Sequence, residues 1–151
     1  MQRWIVAGAV AMMLVLGGGV FAYWTYKQSR PWPVWVPLQI NREVPDEKRA
    51  EIVKELKAKL SEPDILIKVS KDLNLAQTWK MASDRDAANE ISHRLFVRTG
   101  ETDSPMGRVP SIDVGVQGTK REKALSEKLA MSLMKETWKI LGVKQPSQRE
   151  F

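Results

Sequence analysis

Apolar and polar positions change period along this chain, and the changes mark out its elements. In the stretch SIDVGVQGTKREKA, Ser111 to Ala124, the residues Ile112, Val114 and Val116 alternate as a half-buried strand does. Past Gly118 the apolar residues recur every three or four positions instead. A strand therefore feeds a long helix, expected from about Lys120 to Leu141. Leu125, Leu129, Leu133, Trp138 and Leu141 form its apolar face, with Ala124, Ala130 and Met134 at the margins. Gly142 is a natural C′ residue, and Pro146 follows it.

Upstream, three helices are punctuated by their own start signals. Pro45 suits a first helical position, and Asp46 and Glu47 follow where the helix dipole favours acids. Ile52, Val53, Leu56 and Leu60 make that helix's stripe. Ser61-Glu62-Pro63-Asp64 has the spacing of a capping box, ahead of Ile65, Leu66, Val69 and Leu73, with Asn74 as the stop. Ser83-Asp84-Arg85-Asp86 repeats that spacing ahead of Ala87, Ala88, Ile91 and Leu95. Leu95, Val97 and Thr99 then lie on one side of an extended piece. Gly100 to Pro110, GETDSPMGRVP, is turn chemistry and predicts a hairpin between that strand and Ile112–Val116. A further strand is expected from Val34 to Ile40, with Pro37 holding it to a sheet edge or a bulge.

The beginning of the chain is different. Trp4 to Tyr26 contains no charged residue. As a helix at ~1.5 Å per residue it would be about 34 Å long, against a hydrocarbon core of ~30 Å. Trp4, Leu14, Leu16, Phe21, Tyr23, Trp24 and Tyr26 would serve as the anchor, with aromatics at both interfaces. A cleaved signal peptide is the rival, with Val20-Phe21-Ala22 as the cleavage site. The apolar run on to Tyr26 and its bulky aromatics favour the anchor. The expected fold class is thus α+β: an N-terminal transmembrane helix, then a small, mainly antiparallel three-stranded sheet packed by helices, with a long C-terminal helix. Residues 1–28 are the expected anchor, 29–37 a proline- and tryptophan-rich linker, 34–142 the domain and 143–151 a flexible tail.

Composition narrows the chemistry. With 24 basic and 18 acidic residues the net charge is +6, and past the apolar segment the two signs are interspersed. That is the pattern of a solvated, mildly basic surface, not of a nucleic-acid stripe with interleaved aromatics. There is no cysteine, which removes disulfides and thiolate chemistry. The single histidine, His93, lies among polar neighbours near a helix end and reads as a solvated side chain or a local cap. No zinc set, Gly-x-Ser-x-Gly elbow or Gly-x-x-x-x-Gly-Lys loop is present, so no cofactor is expected. Asp84 and Asp86 are explained by capping before catalysis. Arg94, Arg98 and Arg108 near the hairpin, with Lys120, Arg121 and Lys123 at the start of the last helix, are the candidate contacts to a partner subunit or an acidic glycan.

Several of these pieces together resemble a known family. Ile67, Val69, Leu73 and Leu75, then Leu95 and Val97, then Ser111, Ile112, Val114, Val116 and Gly118, and finally Ala124, Leu129, Leu133 and Trp138 follow the spacing of the polysaccharide chain-length determinants, the Wzz-type co-polymerases. Members usually carry a long coiled-coil insertion and a second membrane helix, neither of which stands in these residues. Where they have an acid-proline turn before the last helix, this chain has Thr119-Lys120-Arg121. The resemblance implies a minimal single-pass version: a non-enzymatic scaffold of the inner membrane, its domain periplasmic or extracytoplasmic. Such scaffolds form homo-oligomeric rings and tune polysaccharide length beside a polymerase or the growing glycan. The alternative is a membrane-tethered interaction or assembly module of the cell envelope, unrelated to polysaccharide.

Overall fold

The alternation around Ile112 does build a strand, and it is the middle one of its sheet. A computed structural model describes residues 20–105 and 107–142. In it β1 (Pro31–Gln39) and β2 (Leu95–Ser104) flank β3 (Gly107–Thr119), both antiparallel, in the order β1-β3-β2. Because side chains alternate across a strand, the register fixes two faces. On the inner face Val34, Val116 and Leu95 lie in one row, then Val36, Val114 and Val97, then Leu38, Ile112 and Thr99.

All the packing helices are on that inner face. After α1 (residues 20–28) come α2 (Asp46–Leu60), α3 (Pro63–Leu73), the single turn α4 (Leu75–Thr78) and α5 (Asp84–Arg94). A 3-10 turn, Lys120–Glu122, then leads into α6 (Lys123–Leu141). α6 packs on β3 and β1, α2 on β2, and α3 against α5. Leu60, Leu66, Leu75, Ile91, Ile112, Leu129, Leu133 and Met134 are among the largest fully buried side chains. Each such side chain contributes roughly 1.5–3 kcal/mol by leaving water.

Local chemistry explains most boundaries. Ser83 caps α5: its Oγ accepts from the Asp86 N–H at 3.2 Å and donates to Asp86 Oδ2 at 2.8 Å. The expected box at Ser61 does not form. Glu62 is the N-cap there, without a side-chain cap bond, and Pro63 takes the first turn. Pro45 is likewise the residue before its helix, not inside it. Asn74 closes α3 in the left-handed region at φ 52°, which asparagine tolerates better than most residues. Gly142 ends α6 the same way at φ 65°.

Three expectations shift. β1 begins at Pro31, so most of the stretch expected to be a linker lies inside the sheet. The buried face of α6 is rotated from the expected one: Ser126, Leu129, Ala130, Leu133, Met134 and Thr137 are buried, while Ala124 and Leu141 are exposed. Two hydroxyls can be buried because each is accommodated locally. Thr137 Oγ1 donates to the Leu133 carbonyl at 2.9 Å, and Ser126 packs where Gly118 has no side chain.

The third correction concerns the membrane. Among the described residues no helix is long and apolar enough to cross a bilayer. The described part of α1 is residues 20–28. Phe21, Tyr23, Trp24 and Tyr26 are exposed on it, while Trp4, Leu14 and Leu16 lie outside the described residues. The expected transmembrane helix, the single-pass topology and the inner-membrane location therefore have no support in the structure. The α+β sheet and the long last helix stand without them.

Candidate functional site

Among the described residues the helices pack on one face only and leave the other face of the sheet uncovered. Its rows run Trp35, Gly115, Phe96; then Pro37, Asp113, Arg98; then Gln39, Ser111, Gly100. The middle strand contributes only small or short residues here. Ser111, Asp113 and Gly115 are nevertheless buried, because longer side chains from the two outer strands lean over them. A Cβ on Gly115 would lie 2.6 Å from Trp35 Cβ and 2.8 Å from Phe96 Cζ. The missing side chain is what lets the two aromatics close above the strand.

Arg98 sits at the centre of this arrangement. Its Nε donates to Asp113 Oδ2 at 3.3 Å, and its guanidinium lies 5.0 Å from the Trp35 ring centroid and 5.4 Å from that of Phe96. Asp113 also accepts from Ser111 Oγ at 3.0 Å, and Gly100 leaves room for its carboxylate. The base of the cluster is therefore fixed and the top is open: the Arg98 side chain is 55% exposed against 7% for Asp113, and Trp35 is 43% exposed. Each cation–π contact at such an exposed site is worth about 0.5–1 kcal/mol. Two of them plus a charge-assisted hydrogen bond hold Arg98 in one orientation.

The other expected contact residues do not join it. Arg94 is a structural clamp: Nε donates to Glu90 at 2.7 Å, one terminal nitrogen donates to Glu122 at 3.0 Å, and the plane lies 4.8 Å over Trp79. Burial opposes its charge, but the two carboxylates outweigh that and hold the guanidinium pKa above its ordinary value. Arg108 lies on the projecting hairpin near Asp103 at 3.6 Å and Glu101 at 4.0 Å. Lys120 and Arg121 are in the 3-10 turn, and the Lys120 N–H donates to the Arg30 carbonyl at 3.2 Å. Lys123 lies 6.0 Å from the Trp32 ring and 3.8 Å from Glu127. The six cations thus occupy separate places, and only Arg98 belongs to the open face.

Sequence reasoning missed Trp35, Phe96, Gly115 and Asp113 as partners of Arg98. Trp35 falls where the expected linker and the expected strand overlap, with no face assigned to it, and Asp113 reads as an ordinary polar position in its strand. The signal was available in the alternation of β2 and β3, which puts Phe96, Arg98, Asp113 and Gly115 on the face opposite Val114.

The carboxylates considered for chemistry have structural partners. Asp84 accepts from the buried Ser70 Oγ at 3.1 Å, and Asp86 is the capping partner of Ser83. His93 is exposed beside a shallow hollow of about 270 Å³ that Arg94, Gln117 and Thr119 also line. A second groove, about 420 Å³, runs along the outer side of β1 between Trp32 and Trp35, with Glu127 at its rim. No group of three or more His, Asp or Glu side chains among the described residues is placed to hold a metal ion.

Comparison with family models, with curated proteins and with solved structures finds no match to this chain.

Proposed function

We propose that the chain is a non-enzymatic scaffold that works by assembling through its uncovered sheet face. The observation that carries this reading is the Trp35–Arg98–Phe96 cluster, braced from below by Asp113 and open above. Tryptophan, phenylalanine and arginine are enriched where proteins meet, and tryptophan and arginine are the side chains most often found at energetic centres of interfaces. Holding Arg98 in place before contact lowers the ordering cost of binding. The process it serves, by the resemblance of Ser111–Gly118 and the following helix to chain-length determinants, is polysaccharide biosynthesis or export.

The test is genetic with a biochemical control. Deleting the gene should change the length distribution of the cell's polysaccharide, and the wild-type chain should restore it. A chain carrying Trp35→Ala and Arg98→Ala should keep its circular dichroism and fail to restore it. Unaltered length on deletion removes the polysaccharide reading. Full complementation by the double variant removes the sheet face as the working surface.

A further inference from the structure

The two edges of this sheet are not alike, and the difference lies in the parity of three prolines. The Lys120 N–H donates to the Arg30 carbonyl, and the Ile40 N–H to the Pro110 carbonyl. With the register continuous between them, the even-numbered residues of β1 exchange backbone hydrogen bonds with β3. The odd-numbered residues turn theirs outward. Pro31, Pro33 and Pro37 all fall on outward positions, which leaves only Trp35 and Gln39 with outward N–H groups. A strand added to this edge would find three of its acceptors without donors. Proline on an edge strand is a recognised block to such pairing.

β2 has no such block. Since the even residues of β3 serve β1, its odd residues serve β2, and their partners are Phe96, Arg98 and Gly100. Val97, Thr99, Glu101 and Asp103 therefore turn their N–H and C=O groups away from the sheet, and none is proline. Thr99, Glu101 and Asp103 are exposed. Beyond the Ile40–Pro110 bond, β2 and β3 continue alone as a two-stranded ribbon to Ser104 and Gly107.

We infer that this edge is a self-association site, at which β2 of one copy pairs antiparallel with β2 of a second copy to make a six-stranded sheet. The inference goes beyond the assembly reading above: it adds a contact through the sheet edge, distinct from contact through the uncovered face. Residues with outward groups must face one another, and that restricts the register. Centred on Gly100, the pairing sets Thr99 opposite Glu101, Val97 opposite Asp103 and Arg98 opposite Thr102. The exposed Thr99 and Glu101 then pair through their outward backbone groups, with Asp103 opposite the buried Val97 at the ends of the ladder, and no like charges lie directly opposite. Centring on Glu101 would set two glutamates face to face. Centring on Thr99 would call on the Leu95 N–H, which is already given to the Ile91 carbonyl. With one usable edge per chain the contact is two-fold and closed, so growth by strand addition stops at two. The uncovered faces of both copies end on the same side of the joined sheet, which doubles the Trp35–Arg98–Phe96 surface.

The measurement needs no ligand: sedimentation equilibrium of the full chain, wild type against Thr99→Pro. β1 demonstrates that this sheet accepts proline at outward positions, so the variant should keep its circular dichroism and melt within a few degrees of wild type. Its dimer should dissociate at least tenfold more readily. Should Thr99→Pro fail to fold, two surface variants decide the register. Thr99→Lys, set opposite the partner's Glu101, should tighten the dimer about threefold, and Thr99→Glu should loosen it by a similar factor. A monomeric wild type across the accessible concentration range overturns the inference. So does a dimer that none of these variants moves. The polysaccharide measurement judges the scaffold reading separately, so either can fail alone.

Discussion

Gly115→Ala should be the most damaging one-carbon change on the uncovered face. The added methyl would meet the Val34 carbonyl oxygen, Trp35 Cβ at 2.6 Å and Phe96 Cζ at 2.8 Å. The first is backbone and the second is fixed to backbone, so neither can rotate away. Only Phe96 can yield by changing rotamer. Relief therefore requires β1 to move off β3, which stretches the ladder from Pro31 to Gln39. Overpacking typically costs 1–3 kcal/mol, and with two immovable neighbours the upper end applies, about 3 kcal/mol. For a domain of about 110 residues that lowers the melting temperature by roughly 12 °C. Thermal unfolding followed by circular dichroism, with urea titration as a check, reads the effect. Adding Phe96→Ala to Gly115→Ala removes only the third contact and should recover less than half of the loss. A Gly115→Ala chain within about 0.5 kcal/mol of wild type, or full rescue by Phe96→Ala, would show that the backbone of β1 is not the obstacle.

Three further outcomes follow from the same structure. Ser83→Ala removes the cap of α5 and should cost about 1 kcal/mol in urea titration. Ile91→Ala opens a cavity at a fully buried position, and about 3 kcal/mol should be lost in the same assay. Glu136 is pushed up by burial, but hydrogen bonds from Lys139 and Lys68 outweigh this and hold its carboxyl below the ordinary glutamate value. Its contribution to stability is therefore whole above the unfolded-state pKa and is lost as pH falls through the lower folded-state value. Glu136→Gln should be less stable than wild type at neutral pH, and the gap should close as pH falls below the ordinary glutamate range; a gap independent of pH would refute the ion-pair origin.

What could be read from the sequence was what local periodicity carries. The inner row of β3, the helices ending at Leu60 and Asn74, the cap at Ser83 and the stop at Gly142 all depend on neighbours within one turn or one pleat. The rotation of α6 did not, because Ser126 and Thr137 look like surface residues until Gly118 and the Leu133 carbonyl are brought beside them. The cluster around Arg98 was hidden for a similar reason. Trp35 lies far from Arg98 along the chain and meets it only through the β1-β3-β2 order, in which the first strand pairs with the last. The apolar run before residue 27 is a different case: its composition was compelling, but most of it lies outside the described residues, among which no helix is long and apolar enough to cross a bilayer.

The proline-rich stretch PWPVWVP shows how one signal supports two opposite readings. Counted as composition, three prolines in seven residues argue for a stiff spacer, since each removes a donor and restricts the residue before it. Counted by parity, they argue for a strand. Pro31, Pro33 and Pro37 are all odd, and a strand that pairs through its even residues loses nothing by them. Val34, Val36 and Leu38 supply the apolar alternation in the same frame. A spacer places no demand on the parity of its prolines, whereas an edge strand requires the pattern found here. The consequence reaches beyond β1. An edge closed by missing donors cannot recruit a neighbour through its backbone, so its remaining means of contact are side chains, Trp32 and Trp35 above all. Backbone-mediated association is left to β2, where the same count of parity finds an outward donor at each odd position from Val97 to Asp103.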